Sequence, residues 1–184
     1  MKDIPELDQR PIAVAVAGPN GAGKTTFYHA HIAPAALRCV SADVLARELG
    51  MDAYAAAKAA DAIRHALLGK KERFAFETVF SDPAGDKLKF LKEAVTAGYT
   101  ILLCFIGLDT PALSEARVAM RVSQGGHDVP TVKLKSRFPR TLRNLKAAID
   151  ALPLVYVFDN SDLSLPFREV AVFKNGRPVK QAKT

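Results

Sequence analysis

Cysteine is scarce in this chain. Cys39 and Cys104 are its two thiols in 184 residues. Each sits in an apolar stretch without CxxC or Cys/His ligand spacing, so the pattern argues against a zinc or redox motif and predicts two buried, reduced thiols. Long apolar runs are missing too: none approaches the roughly 20 residues of a membrane span, which excludes a membrane helix. The opening stretch MKDIPELDQRP carries acids and no apolar h-region, so it does not read as a secretory signal, and a cytoplasmic protein is expected. Repeats and low-complexity tracts are absent, apart from an alanine cluster at 53–60 that reads as plain helix-forming sequence.

What is present has the composition of an ordinary globular protein, 49% apolar and 24% charged, with a net charge of +7. The length suits one domain over 1–184. The positive excess fits a nucleic acid, an anionic small substrate or simply a basic surface. Part of it lies in a tail, about 174–184, with the look of a solvated end. The rest concentrates in the arginines of 117–143.

Apolar runs at 11–18, 37–43, 73–80, 99–107 and 154–160 read as buried strands, several of them continuously apolar. Between them lie stretches with helical spacing, and Gly50, Gly69, Gly98 and Gly125 stand where helices should stop. The alternation implies right-handed βαβ crossovers. The expected fold is therefore α/β, a three-layer sandwich of P-loop NTPase type with a mainly parallel sheet of five or six strands and a helical lid. REVAVFKNGRP would supply the sixth strand, ending in a turn at Asn175-Gly176.

The motif that carries chemistry is AGPNGAGKTTF at 17–27. Gly18-x-x-x-x-Gly23-Lys24-Thr25 matches the phosphate-binding loop, and it lies between a predicted strand and a predicted helix, the context that supports the match. Backbone amides of Gly18, Asn20, Gly21, Ala22 and Gly23 are expected around the phosphates, where a helix N-terminus adds positive dipole. Lys24 should reach the β and γ phosphates and the Thr25 hydroxyl should hold Mg²⁺, with Thr26 a secondary contact. Asp82-Pro83-Ala84-Gly85 matches a DxxG, but no NKxD base reader follows, so ATP is the expected nucleotide. Phe158, Asp159 and Asn160 are expected near the adenine.

Ligands of open α/β sheets bind beyond the carboxyl ends of the strands, where three acids stand. Asp43, after Val40-Ser41-Ala42, is the candidate general base, with a helix N-cap as its competing role. Glu77 interrupts an apolar strand end, where a carboxylate is costly unless paired or liganded, and reads as a contact to substrate or metal-bound water. Asp109 reads first as a helix cap and second as a loose Walker B acid. Arg117 and Arg121 share one helix face, as do Arg137 and Arg140, with Gly125-Gly126-His127 between the two helices. Two such helices would fold arginines over a triphosphate; two solvated basic faces are the alternative. His127 belongs to that lid or caps its turn.

GPNGAGKTT, the SAD of 41–43, FAFETVFSD and the segment RVAMRVSQGGHDVPTVKLKSRFPRTLRNL together resemble the zeta toxin family of P-loop kinases, over about residues 11–162. The resemblance implies phosphoryl transfer from ATP to a sugar hydroxyl of UDP-N-acetylglucosamine, a bacterial toxin role and an antitoxin partner. It implies Lys24 and Thr25 at ATP and Mg²⁺, Asp43 as base, and Ser41, Glu77 and Thr78 along the acceptor pocket. Arg121 and Arg137 match its lid arginines, with Arg117 and Arg140 as substitutes. A kinase of another metabolite, a nucleotide or a nucleic-acid end is the competing enzyme reading, and an ATP-dependent binding switch the competing non-enzyme one.

Overall fold

The computed structural model describes residues 4–125 and 129–181. His127, with Gly126 and Asp128, lies outside them. Seven strands form one sheet: β1 (Ile12–Ala17), β2 (Arg38–Val40), β3 (Phe74–Thr78), β4 (Thr100–Gly107), β5 (Leu154–Asp159), β6 (Arg168–Lys174) and β7 (Arg177–Gln181). Their spatial order is β2-β3-β1-β4-β5-β6-β7. The first five run parallel, and β6 and β7 are antiparallel additions. From β1 the chain leaves toward β2 on one side, and from β4 it leaves toward β5 on the other. The crevice beyond the carboxyl ends of β1 and β4 is thus a switch point, where such sheets bind ligands.

All six residues of β1 are buried, which explains its unbroken apolar sequence. Alternate residues serve different faces. Ile12, Val14 and Val16 pack with Phe27, Tyr28 and Ile32, while Ala13, Ala15 and Ala17 join the cluster of Phe74, Phe76, Phe90 and Leu91 on the other side. The first face is covered by α1 (Lys24–Phe27), which continues through a π turn at Tyr28–Ile32 into a 3₁₀ turn at Ala33–Ala35. The other carries α3 (Ala53–Gly69), α4 (Asp86–Thr96) and the second half of α6 (Thr131–Ala151). Burying a phenylalanine such as Phe76 contributes about 1.5–3 kcal/mol, so the three layers are held mainly by these two apolar clusters.

One feature departs from the pattern read in the sequence. The sheet has a seventh strand, because the segment taken as a solvated tail turns at Asn175 and Gly176, both at positive φ, and returns as β7. β7 is exposed at every residue, so burial imposes no apolar alternation on it. The remaining helices are α2 (Ala42–Leu49), which stops at Gly50, and α5 (Pro111–Ser123).

Candidate active site

The loop from β1 to α1 is shaped by its glycines. Gly18 has a φ of 145°, and a Cβ there would stand 2.1 Å from the Ile106 carbonyl oxygen. Gly23, at a φ of 85°, has room for no Cβ either, since Asn160 Nδ2 would be 2.8 Å away. Neighbouring elements brace the loop. Ser114 Oγ of α5 donates to the Asn20 carbonyl at 2.7 Å, and Arg117 packs its Cβ against Gly21. Asn160 Nδ2 donates to the Ala22 carbonyl at 2.9 Å, and its Oδ1 accepts from the Phe167 amide at 3.3 Å. One end of the Asn160 amide therefore braces the phosphate loop, and the other holds the chain just before β6.

Lys24 opens α1 and folds back over the loop, donating to the carbonyls of Gly18 (3.0 Å) and Pro19 (2.9 Å). Burial pulls its pKa from 10.5 down to about 8; Glu77 and Asp43 pull it back up, and Arg121 adds to the lowering. Those three charges, from β3, α2 and α5, thus act on one ammonium. Thr25 Oγ1 donates to Glu77 Oε2 at 2.8 Å. Burial raises the Glu77 carboxyl above its usual range, against the opposing pull of the Thr25 hydrogen bond and of Lys24. The carboxylate at the end of β3 is paired, as its cost of burial requires. Thr26 is exposed on the same helical turn.

The caps fall elsewhere than the sequence suggested. Ser41 caps α2, its Oγ accepting from the Val44 amide, which leaves Asp43 exposed in the first turn, its carboxylate not used as a cap. Likewise Thr110 caps α5, so the cap reading of Asp109 is corrected; the Asp109 amide instead donates to Ser161 Oγ. Thr78 Oγ1 accepts from the Phe80 amide at 3.0 Å, leaving its own proton for another partner.

The arginines divide. Arg117 donates to the Ser161 carbonyl at 2.9 Å and ties α5 to the loop after β5. Arg121, one turn on, is exposed, and its charge reaches Lys24. Arg137 is half-buried on α6; Arg140 approaches Ser136 Oγ at 3.5 Å, with its Nε buried and unpartnered. Of the residues expected near the base, Phe158 is buried against Phe27, and Asp159 pairs with Arg168 at 3.0 Å. Cys104 is buried and Cys39 half-buried, its thiol pushed up to about 11 by burial. Burial raises both thiols and so disfavours the thiolate form.

Four site neighbours escaped the sequence reading: His29, Ser114, Thr141 and Asn144. Two had a local signal. His29 lies one turn beyond Thr25 and pulls on Glu77, while Ser114 shares a helix face with Arg117 and Arg121. The other two are joined to the site across more than sixty residues of chain.

No family model matches the chain, and no curated protein matches its sequence. Solved structures do. A chain of the AvrRxo1-ORF1:-ORF2 complex with ATP superposes with a TM-score of 0.69 at 19% identity, over 93% of this chain and 60% of that one. What the match shows is a shared α/β fold, a mostly parallel central sheet with helices. A structure of the PezAT chromosomal toxin-antitoxin system of Streptococcus pneumoniae matches with a TM-score of 0.58 at 17% identity, over 83% of this chain and 68% of that one. A gluconokinase from Sinorhizobium meliloti matches with a TM-score of 0.51 at 17% identity, over 86% and 89%. The likeness is one of fold, and the chain spans about three fifths of the AvrRxo1 complex chain that it matches. Among the described residues no helix is long and apolar enough to cross a membrane.

Proposed function

We propose that this protein is an ATP-dependent phosphotransferase of zeta-toxin type, moving the γ-phosphoryl group to a hydroxyl of a small acceptor, with UDP-N-acetylglucosamine the first candidate. The observation that carries the reading is the Thr25–Glu77 hydrogen bond of 2.8 Å beside Lys24. It sets a hydroxyl, a carboxylate and an ammonium side by side at the phosphate loop. A bare nucleotide clasp needs no second carboxylate, whereas Asp43 also acts on Lys24.

The donor set suits Mg²⁺, which takes one or two protein oxygens and keeps water and phosphate oxygens for the rest of its shell. Thr25 would be the direct ligand, and Glu77 would hold Thr25 or a metal-bound water. When bound, the ion neutralises charge on the phosphate oxygens. The chain's own residues do the rest. Backbone amides of 18–23 cradle the phosphates. Lys24 exchanges its two carbonyl partners for phosphate oxygens. Asp43, exposed at the start of α2, orients the acceptor hydroxyl and takes its proton, with Ser41 and Thr78 along the same side. Arg121 and Arg137 converge on the transferring group, exclude water and offset its charge, while Arg117 holds α5 in place for them. Thr26 and Asn160 support the nucleotide through the loop. This reading takes an antitoxin as the protein partner, in line with the likeness to a structure from a toxin-antitoxin system, and the cytoplasm as the compartment.

The test is to incubate the protein with γ-labelled ATP, Mg²⁺ and separate pools of nucleotide sugars, nucleotides and oligonucleotides. Label on UDP-N-acetylglucosamine supports the full reading. Label on another pool keeps the kinase and moves the acceptor, and salt-sensitive transfer to oligonucleotides would favour a nucleic-acid end. ATP binding with no transfer to any pool, joined to a partner that binds only the ATP form, would replace the kinase with a switch.

A further inference from the structure

We propose that Thr141 and Asn144 of α6 are positioning residues for phosphoryl transfer: they clamp the turn after β3 so that Glu77 and Thr78 keep their place beside the phosphate loop. The proposal rests on the kinase reading above.

Glu77 and Thr78 are the last residues of β3 in register with β1, opposite Val16 and Ala17. The chain then turns sharply. Phe80, two residues on, has a φ of 59°, in the left-handed region that a bulky side chain avoids, while its ring is 1% exposed. Such a conformation persists only where its surroundings over-determine it, and α6 supplies the constraint. Thr141 Oγ1 lies 3.0 Å from the Val79 carbonyl, and Asn144 Nδ2 donates to the carbonyls of Phe80 (3.0 Å) and Asp82 (3.1 Å). Beyond the sheet ladder these carbonyls lack a strand partner; two side chains of a distant helix reach all three, and the Asp82 carbonyl also accepts from the Gly85 amide at 3.4 Å. The Phe80 amide closes the turn on Thr78 Oγ1 at 3.0 Å. A change in the turn is therefore felt directly at the hydroxyl next to Glu77.

The same helix carries Arg137. Thr141 Oγ1 is also 3.1 Å from the Arg137 carbonyl, and its single proton serves one carbonyl at a time. Between them sits Pro139, which has no amide to donate to the Lys135 carbonyl and gives α6 a place to bend. The clamp thus links the arginine-bearing half of α6 to the floor on which Glu77 and Thr78 stand.

Thr141→Val and Asn144→Asp remove the donors while keeping shape, and Thr141→Ser restores the hydroxyl. Three quantities are read: amide hydrogen exchange over 79–82, affinity for a fluorescent ATP analogue, and the rate of transfer from labelled ATP. Expected are faster exchange confined to that turn and a transfer rate lower by about tenfold to a hundredfold, as small misplacements near reacting groups cost. Nucleotide affinity should hold, and Thr141→Ser should recover both exchange and rate. Unchanged exchange in both donor-less variants overturns the clamp. Faster exchange with an unchanged transfer rate, affinity lost in step with rate, or no recovery in Thr141→Ser overturns the positioning role. If the unaltered protein transfers no phosphate, the kinase reading fails and the positioning role with it, while exchange still decides the clamp.

Discussion

The loop after β1 is fixed from three sides, by Ser114 of α5, by Asn160 after β5 and by the Ile106 carbonyl that Gly18 passes. Asp43 of α2 and Arg121 of α5, whose charges Lys24 feels, are by contrast both exposed. One region is held in its shape by its neighbours. The other places its charged groups on exposed turns of two helices. Phosphoryl transfer consists mainly of positioning and charge neutralisation, so on the proposed function this division makes nucleotide affinity a property of the loop and turnover a property of the two regions together. Substitutions in the two should fail differently.

The largest effect is expected at the point of contact between them. Lys24→Ala removes the ammonium that the loop carbonyls now hold, and transfer should fall by about 10²–10³ or more, with ATP affinity falling too. Asp43→Asn should separate the regions: transfer falls by about 10²–10⁴, as the loss of a general base does, while ATP binding, measured by calorimetry, stays as it was. Equal loss of binding and transfer in that variant would erase the distinction.

Asn160→Ala sharpens the comparison from the loop side. It leaves the Ala22 carbonyl and the Phe167 amide unpaired in a buried place, a loss of about 2 kcal/mol or more. Thermal unfolding should show the loss, and saturating ATP should recover part of it.

A smaller effect is expected from pH. Burial lowers the Lys24 pKa from 10.5 to about 8, so below about pH 8 the folded chain carries the cost of a buried ammonium, and that cost disappears as the pH rises toward 10.5. Phosphate reverses the preference by stabilising the ammonium. ATP affinity should be flat below about pH 8 and fall above it, with proton uptake on binding. Calorimetry in buffers of different ionisation enthalpy reads both. An affinity that rises through this range would contradict the burial of Lys24 as its dominant influence.

Much of the loop region could be read in the sequence because its chemistry is local: glycines, lysine and hydroxyls at fixed spacing after an apolar run. The five parallel strands could be read for a related reason, since burial on both faces leaves continuous apolar segments. Ser41 and Asp43 show a limit. Both residue types cap helices, they stand two positions apart, and only the turn at which α2 begins decides between them. The segment 177–181 gave no signal, since Val179 is its one apolar residue apart from proline and a strand exposed on both faces needs no alternation. Thr141 and Asn144 were hidden for a third reason. Their partners are backbone carbonyls of 79–82, which any sequence would present, and only the packing of α6 beside β3 brings them together.

The central claim is that a preformed loop and a separate carboxylate jointly make a kinase. Its most direct test is transfer of labelled γ-phosphate by the unaltered protein and by Asp43→Asn, with ATP affinity measured on the same samples. The account predicts a labelled hydroxyl acceptor with the first, label lower by about a hundredfold or more with the second, and equal ATP affinity in both. Equal labelling by the two proteins would contradict it.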